Sequence, residues 1–353
     1  MKTLFESHHL SLTQSPQPSE GVVDLLKQTI LGTPGKMRYA HTNVEEKIQK
    51  LGNVSFLSLN RKDQVIGTIA LVNEEIMISG QPIKACYIRY FSIEAPMRQT
   101  PDNARKKKSA GVLRSLIDQL WDSPEWLYPT IQKHEPLLVY AFVDSGNVRS
   151  SNMVESFGFK QTRSFATTIF SRFRPKDIMP IANRAVFNTP SINLFPTSTE
   201  LLETNCTIVN SASSSIQAIA NPVSWKIHEI PGFGGKLMRH VLPFLPLTSR
   251  LFDKDQFDFL ALDFNVPEHT DHNIVADFIE TMCHHFDCNK ALFWLDVESQ
   301  LYQSVNNSDK MGILNKLANI RPAFLYTKTF NFNTEQSSSL FNQPAFISAY
   351  HST

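Results

Sequence analysis

Two short apolar runs, Ala85 to Ile93 and Leu137 to Val143, constrain this chain more than any other feature. Each is of strand length, and each is nearly continuous in apolar residues, which marks a strand buried on both faces. Between them Val112, Leu113, Leu116, Ile117, Leu120 and Trp121 recur at helical spacing and cover one helix face. Upstream, Ser19 stands where an N-cap belongs, ahead of an amphipathic helix whose apolar side is Val22, Val23, Leu25, Leu26 and Ile30. "VSFLSLN" and "VIGTIALV" read as strands joined by the turn "RKDQ", and "EIMIS" pairs with the first apolar run across Gly80-Gln81. After the second run, "SNMVESFGF" reads as a short helix stopped at Gly158, and "QTRSFATTIFSRF" as a strand. The order over residues 20–175 is helix, three antiparallel strands, helix, strand, short helix, strand. That order describes an α/β fold with a mixed, mostly antiparallel central sheet flanked by helices.

At 353 residues the chain has room for two cores. The second half repeats the order of the first. "FDFLALDFNVPE" reads as a central strand and its exit, and "NIVADFIETMCHHFD" as a helix with Ile274, Val275, Phe278, Ile279 and Met282 inward. "ALFWLDV" parallels "LLVYAFV", and "RPAFLYTKTFNF" parallels the last strand of the first half. The expected division is a mobile leader over 1–20, a first domain over 21–178, a Pro-rich connection over 179–200 and a degenerate second copy over 201–353.

The four cysteines, Cys86, Cys206, Cys283 and Cys288, show no disulfide framework. The first residues lack the apolar core of a signal peptide, and no run approaches a membrane span. The expectation is a cytoplasmic protein without a membrane partner. "CHHFDC" has metal-ligand residue types but not the paired spacing of a structural zinc site, so no metal is expected. The Gly-rich "IPGFGGKLMRHVLPFLP" reads as a packed loop and helix.

One local feature stands out against a net charge of +1: the cations Arg105, Lys106, Lys107 and Lys108, followed by Ser109, Ala110 and Gly111. Three readings meet here. The run can be solvated surface, a nucleic-acid patch or an anion-binding loop. The near-neutral chain and the single cluster without interleaved aromatics weigh against nucleic acid. Position favours the third reading. The run joins a buried strand to the first turn of a helix, where free backbone N–H groups and the helix dipole attract an anion. The small residues let a ligand approach the backbone, an arrangement suited to a pyrophosphate. The Walker and dinucleotide glycine patterns are absent.

With this loop in place the chain resembles the GNAT superfamily of N-acetyltransferases. Their acetyl-CoA loop, [RQ]-x-x-G-x-[GA], is similar to "RKKKSA", with Lys108 at the middle glycine, or to "KKKSAG" in the next register, with Ser109 there. "NVRSSNMVESFGF" resembles the family's N-x-x-[AS]-x-x-[LM]-Y-E-x-x-G-F segment at Asn147, Ser150, Met153, Glu155, Gly158 and Phe159. The resemblance covers about residues 20 to 175, and the second half looks like a degenerate copy, as in tandem members. In that copy the matching stretch carries Glu268 and Asp271 and no glycine, which would repel a pyrophosphate.

The resemblance implies an N-acetyltransferase that moves an acetyl group from acetyl-CoA, its co-substrate, to an amine. It places the cofactor on Arg105 to Gly111 and Asn147. It places the thioester carbonyl on backbone N–H groups near Phe91, Ser92 and Ile93, in a splay between the fourth and fifth strands. The tyrosine that commonly protonates the leaving thiolate is here Val154. Tyr140 and Tyr90 are the substitutes to consider, along with water. Glu94 is the general-base candidate, and Asp144 a weaker one. Two other readings stay open: a non-catalytic acyl-CoA sensor or partner-binding protein, and a transferase with a different acyl or aminoacyl donor. The acceptor amine is not legible.

Overall fold

A computed structural model of the chain describes residues 1–7, 9–32, 35, 37–49, 51–94, 115, 117–184, 193–195, 207–211, 216–230, 232–246, 248–253, 255–267, 270–306, 308–317 and 322–349. The first half supplies β1 (Lys2–Ser7), β2 (Leu10–Ser15), α1 (Glu20–Lys27), β3 (Arg38–His41), α2 (Val44–Gln49), β4 (Val54–Arg61), β5 (Gln64–Ile78), β6 (Gln81–Ile93), α3 (Pro124–Leu127), β7 (Leu137–Asp144), α4 (Val148–Ser156) and β8 (Lys160–Ser171). The remainder supplies β9 (Ile181–Arg184), β10 (Asn193–Phe195), β11 (Thr207–Ser211), β12 (Gln217–Glu229), α5 (Gly232–His240), β13 (Gln256–Asn265), α6 (His272–His285), β14 (Lys290–Asp296), α7 (Gln300–Asn306), α8 (Ile313–Leu317), β15 (Ala323–Phe330), α9 (Thr334–Asn342) and β16 (Ala345–Ile347).

Several elements follow from residues already singled out. The Ser19 side chain accepts from the Val22 amide and starts α1, which buries Val22 and Leu26. The Asn147 side chain accepts from the Ser150 amide at 3.1 Å and starts α4. Gly158, at φ +85°, ends that helix in a conformation that disfavours other residues. The β5–β6 hairpin turns on Ser79 and Gly80, one residue earlier than expected. Both have positive φ, the two-residue turn whose twist matches paired strands.

Residues 1–15 correct the expectation of a mobile leader. They form a hairpin, and β2 pairs along β4 from Leu10↔Arg61 to Ser15↔Phe56. Its apolar positions are few and alternate with Ser and Thr, which reads as tail composition but suits a half-buried edge. Two further differences are local. "VIGTIALV" and "EIMIS" are one strand, β5, and Ile274 faces outward on α6 at 37% exposure.

Among the described residues sixteen strands join in one sheet, along the path β1-β2-β4-β5-β6-β7-β15-β8-β14-β13-β12-β11-β9. The centre of that path departs from the expected division. β15, from the second half, lies between β7 and β8 and is antiparallel to both. β8, from the first half, then pairs with β14 from Phe165↔Asp296 to Ser171↔Lys290. Each half therefore gives a strand to the other, and residues 179–200 do not mark a break in the sheet. The stretch 117–122 is helical. With α3 and α4 it covers one face of the first half's sheet, burying Leu120, Trp121, Leu127 and Val154 against Leu71, Cys86, Leu137, Val139 and Tyr326. The second half packs Val275, Phe278, Ile279 and Met282 of α6 against β13 and β14.

Candidate functional site

The parallel pair β6–β7 is paired only from Lys84↔Leu137 to Tyr87↔Tyr140. β6 runs on to Ile93 and β7 to Asp144 without further pairing to each other. The two strands diverge there, and among the described residues no ladder joins them beyond Tyr87 and Tyr140. On its other edge β6 pairs with β5, and that ladder shifts register between Ala70↔Arg89 and Thr68↔Ser92. Tyr90 and Phe91 thus share one opposite residue, Ile69, which makes a β-bulge, and Tyr90 takes φ +52°. A bulge bends its strand and re-aims the peptides that follow. Here those peptides belong to Phe91, Ser92 and Ile93, at the open end of the split.

The bulge is anchored. Ser92 is buried, and its hydroxyl lies 2.6 Å from that of Thr29, which donates to the Leu25 carbonyl at the end of α1. Phe91 turns outward at 39% exposure. The Glu94 amide donates to Ile66 O at 2.9 Å, and its carboxylate accepts from Gln64 Nε2 at 3.0 Å. Glu94 thus stands at the mouth of the split, half-buried and held by one neutral partner. Asp144, at the end of β7, is exposed and accepts from the Gly146 amide.

Tyr140 is placed differently from the expectation of a proton donor presented to the opening. It is fully buried and stacks on Tyr87, and its hydroxyl is bonded to Glu74. Burial, reinforced by Glu74, raises it far above the ordinary tyrosine range. Tyr90 keeps its hydroxyl buried with no hydrogen-bond partner. The side chain of Asn147 is engaged in capping α4. Val154 faces the core beside Phe159, so a tyrosine at its position would need that space. Arg105 to Gly111 lie outside the described residues.

Glu74 was not singled out from the sequence. Desolvation pushes its carboxyl group up to about 8, against a hydrogen bond from Tyr140 and the nearby Arg89, which both favour the ionised form. Its parity was the available signal. Val72, Glu74, Ile76 and Ile78 share one face of β5, and Ile76 and Ile78 are buried. An ordinary glutamate ionises near 4.5 and this one near 8. Between those values the unfolded chain has lost the proton while the folded chain keeps it, so this group subtracts stability progressively as pH rises. Glu74→Gln is therefore expected to gain on the wild type by roughly 2 kcal/mol between about pH 4.5 and about pH 8, a figure discounted for solvent contact. Urea unfolding at both ends of that window checks it, and a pH-independent difference would be inconsistent with a titrating Glu74.

A second parallel pair, β13–β14, is paired only at Leu260↔Ala291 and Ala261↔Leu292. Its opening is crossed by the chain itself. The Ala345 amide donates to Asp296 Oδ2 at 2.9 Å, the Ala349 amide to Asp263 Oδ1 at 2.6 Å, and the Ser348 hydroxyl is bonded to Asp263. Ala349 is fully buried among Trp225, Phe259, Ala261 and Leu292. Asp271, expected to repel a phosphate, caps α6 by accepting from the Asn273 amide at 2.9 Å. Among the described residues the two splits therefore differ in one respect that matters for a ligand: only the second is spanned, by residues 345–349.

No family model matches the chain, and no curated protein matches it in sequence. Solved structures do resemble it. Saccharomyces cerevisiae N-myristoyltransferase with bound myristoyl-CoA is 9% identical, at a TM-score of 0.49 over 94% of this chain and 85% of that one. A putative acetyltransferase from Pyrococcus horikoshii is 8% identical, at 0.47 over 96% and 95%. A GCN5-related N-acetyltransferase from Anabaena variabilis is 11% identical, at 0.43 over 89% and 72%. The antiparallel run β4–β5–β6 and a parallel β7 that splays from β6 reproduce in this chain's own topology the arrangement that the resemblance implies, and the fold is GNAT-like, with α2 and the bulge as features the sequence reading did not include.

Proposed function

We propose that the chain is an acyltransferase that takes an acetyl group from acetyl-CoA and passes it to a primary amine. The open β6–β7 pair with its bulge carries this reading. Where β7 has left β6, the open end of the split suits an extended pantetheine arm on the side of Phe91–Ile93 that leads toward Arg105. Backbone N–H groups at Phe91 to Ile93, fixed by the bulge and by Ser92, suit a carbonyl oxygen that gains charge as the amine attacks. The cations Arg105 to Lys108, with Ser109, Ala110 and Gly111, lie in sequence between β6 and the helical stretch 117–122 and suit the pyrophosphate. In the reaction the nitrogen–carbon bond forms and the carbon–sulfur bond breaks. Glu94, at the mouth, takes the proton from nitrogen. With Val154 in the core and Tyr140 bonded to Glu74, water protonates the departing thiolate.

Titration calorimetry of acetyl-CoA into the wild type and a Lys106/Lys107/Lys108→Ala variant tests the donor site. Binding in the micromolar range is expected for the wild type, weakened by about tenfold or more in the variant and falling with salt. A folded wild type that binds no acetyl-CoA overturns the proposal. One observation favours a second reading. The buried Val154 leaves no tyrosine at the usual donor position, as in a non-catalytic acyl-CoA sensor. That reading predicts binding with no thiol released across a panel of primary amines. Among the described residues no helix is long and apolar enough to cross a membrane.

A further inference from the structure

The β6–β7 split ends at a filled apex. At the last paired register the rings of Tyr87 and Tyr140 stack, with centroids 4.9 Å apart and planes 8° from parallel, and the residues are 5% and 0% exposed. Phe142 meets both edge-on at 5.5 and 5.7 Å, and Phe195 meets Tyr140 at 5.3 Å. On the opposite face Cys86 and Val139 are fully buried beneath Leu120 and Trp121. A chain that reaches the apex therefore meets packed side chains whichever way it turns.

The stack is also hard to move. The Tyr140 hydroxyl is bonded to Glu74, whose carboxyl group lies in a desolvated setting. Swinging Tyr140 aside would strand that carboxyl group without its donor, a large penalty for a buried polar group. Rings at this density yield little to a ligand without a cavity to move into.

The length available can be counted in residues. A thioester carbonyl on the Phe91–Ile93 backbone leaves Ile88 to Tyr90 for the acyl group, roughly 10 Å at about 3.3 Å per residue. An acetyl or other short acyl group fits within that length, and a long fatty chain does not. We infer that the Tyr87–Tyr140 stack, braced by Glu74, is the floor of the donor slot and restricts the donor to short acyl groups. This rests on the acyl-CoA reading above.

Calorimetric titration of CoA, acetyl-CoA, octanoyl-CoA and myristoyl-CoA into the full chain tests it. The wild type is expected to bind CoA and acetyl-CoA and to lose about tenfold or more in affinity by myristoyl-CoA. Tyr140→Ala opens the floor and is expected to bring myristoyl-CoA to within about threefold of acetyl-CoA. If that variant does not fold, Tyr140→Leu takes its place with the same direction of change. Myristoyl-CoA bound by the wild type as tightly as acetyl-CoA overturns the floor, as does a folded variant that keeps the wild-type preference. A wild type that binds CoA but ignores acyl length overturns the floor alone. A wild type that binds none of the four overturns the acyl-CoA reading and the floor with it.

Discussion

Arg163→Met is expected to lower the unfolding free energy by roughly 3–5 kcal/mol, the range for stranding one partner of a buried ion pair. Arg163 is on β8 and Asp296 at the end of β14. Nε lies 2.7 Å from Oδ2 and Nη2 lies 2.9 Å from Oδ1, a two-pronged contact between side chains 1% and 0% exposed. The same guanidinium donates to the Phe341 carbonyl at 3.2 Å and meets Glu298 at 3.0 Å. Asp296 also accepts the Ala345 and Glu298 amides, both at 2.9 Å. The pair therefore joins the exchanged strand β8 to β14, to the end of α9 and to the carboxy-terminal segment. Methionine fills the aliphatic volume but leaves Asp296 charged and buried with two amides as its remaining donors. Arg163→Met/Asp296→Asn removes both charges and is expected to recover part of the loss. Urea denaturation of both variants checks this. Equal losses in the single and double variants would show that packing, rather than the stranded charge, sets the cost.

Gly312→Ala is expected to cost roughly 2–4 kcal/mol, combining backbone strain with overpacking. Gly312 sits between the turn Asp309–Met311 and α8, at φ 92° and ψ −177°, a region in which glycine is nearly alone. A Cβ there would stand 2.1 Å from the Ser171 carbonyl oxygen. That oxygen has little freedom to retreat. Ser171 pairs with Lys290 at the end of the β8–β14 ladder, and its hydroxyl accepts the Leu314 amide at 3.1 Å. Gly80 provides the contrast. It also has positive φ, but a Cβ there meets nothing within 4 Å. Gly80→Ala should cost only about 1–2 kcal/mol, the left-handed backbone penalty. Denaturation midpoints of the two variants compare them, and a Gly312→Ala loss no larger than that of Gly80→Ala would contradict the steric argument.

The parts of this molecule that were readable in advance are those whose cause is local. Ser19 caps α1 because a short polar side chain placed ahead of an apolar period satisfies free amides, whereas Asn147, read as a cofactor contact, caps α4. The runs at Ala85 and Leu137 are strands because nearly every residue in them is covered. The splay between them was expected from the family resemblance, and the strands do part after Tyr87 and Tyr140. What was missed depends on distant partners. The hairpin of residues 2–15 earns its order from β4, and its own Ser and Thr content hides that. The exchange of β8 and β15 left no local trace, since a strand covered on both faces reads the same whichever strand lies beside it. Tyr140 was noted, but its direction was not legible. Its partner Glu74 was not singled out, because its setting depends on Tyr140 and on the packing of the β5 face it shares with Ile76 and Ile78.

The reciprocal placement of β8 and β15 bears on how the chain is made. While the ribosome is still translating, β7 and β8 are complete long before residues 323–330 emerge. Until then each lacks the neighbour that separates them in the finished sheet. A nascent chain in that condition holds two apolar strands with open hydrogen-bonding edges, a template for mispairing with itself or with other chains. Long-range pairing of this kind also slows closure, because the loop must be formed before the contacts reward it. The native sheet is therefore a late, whole-chain event.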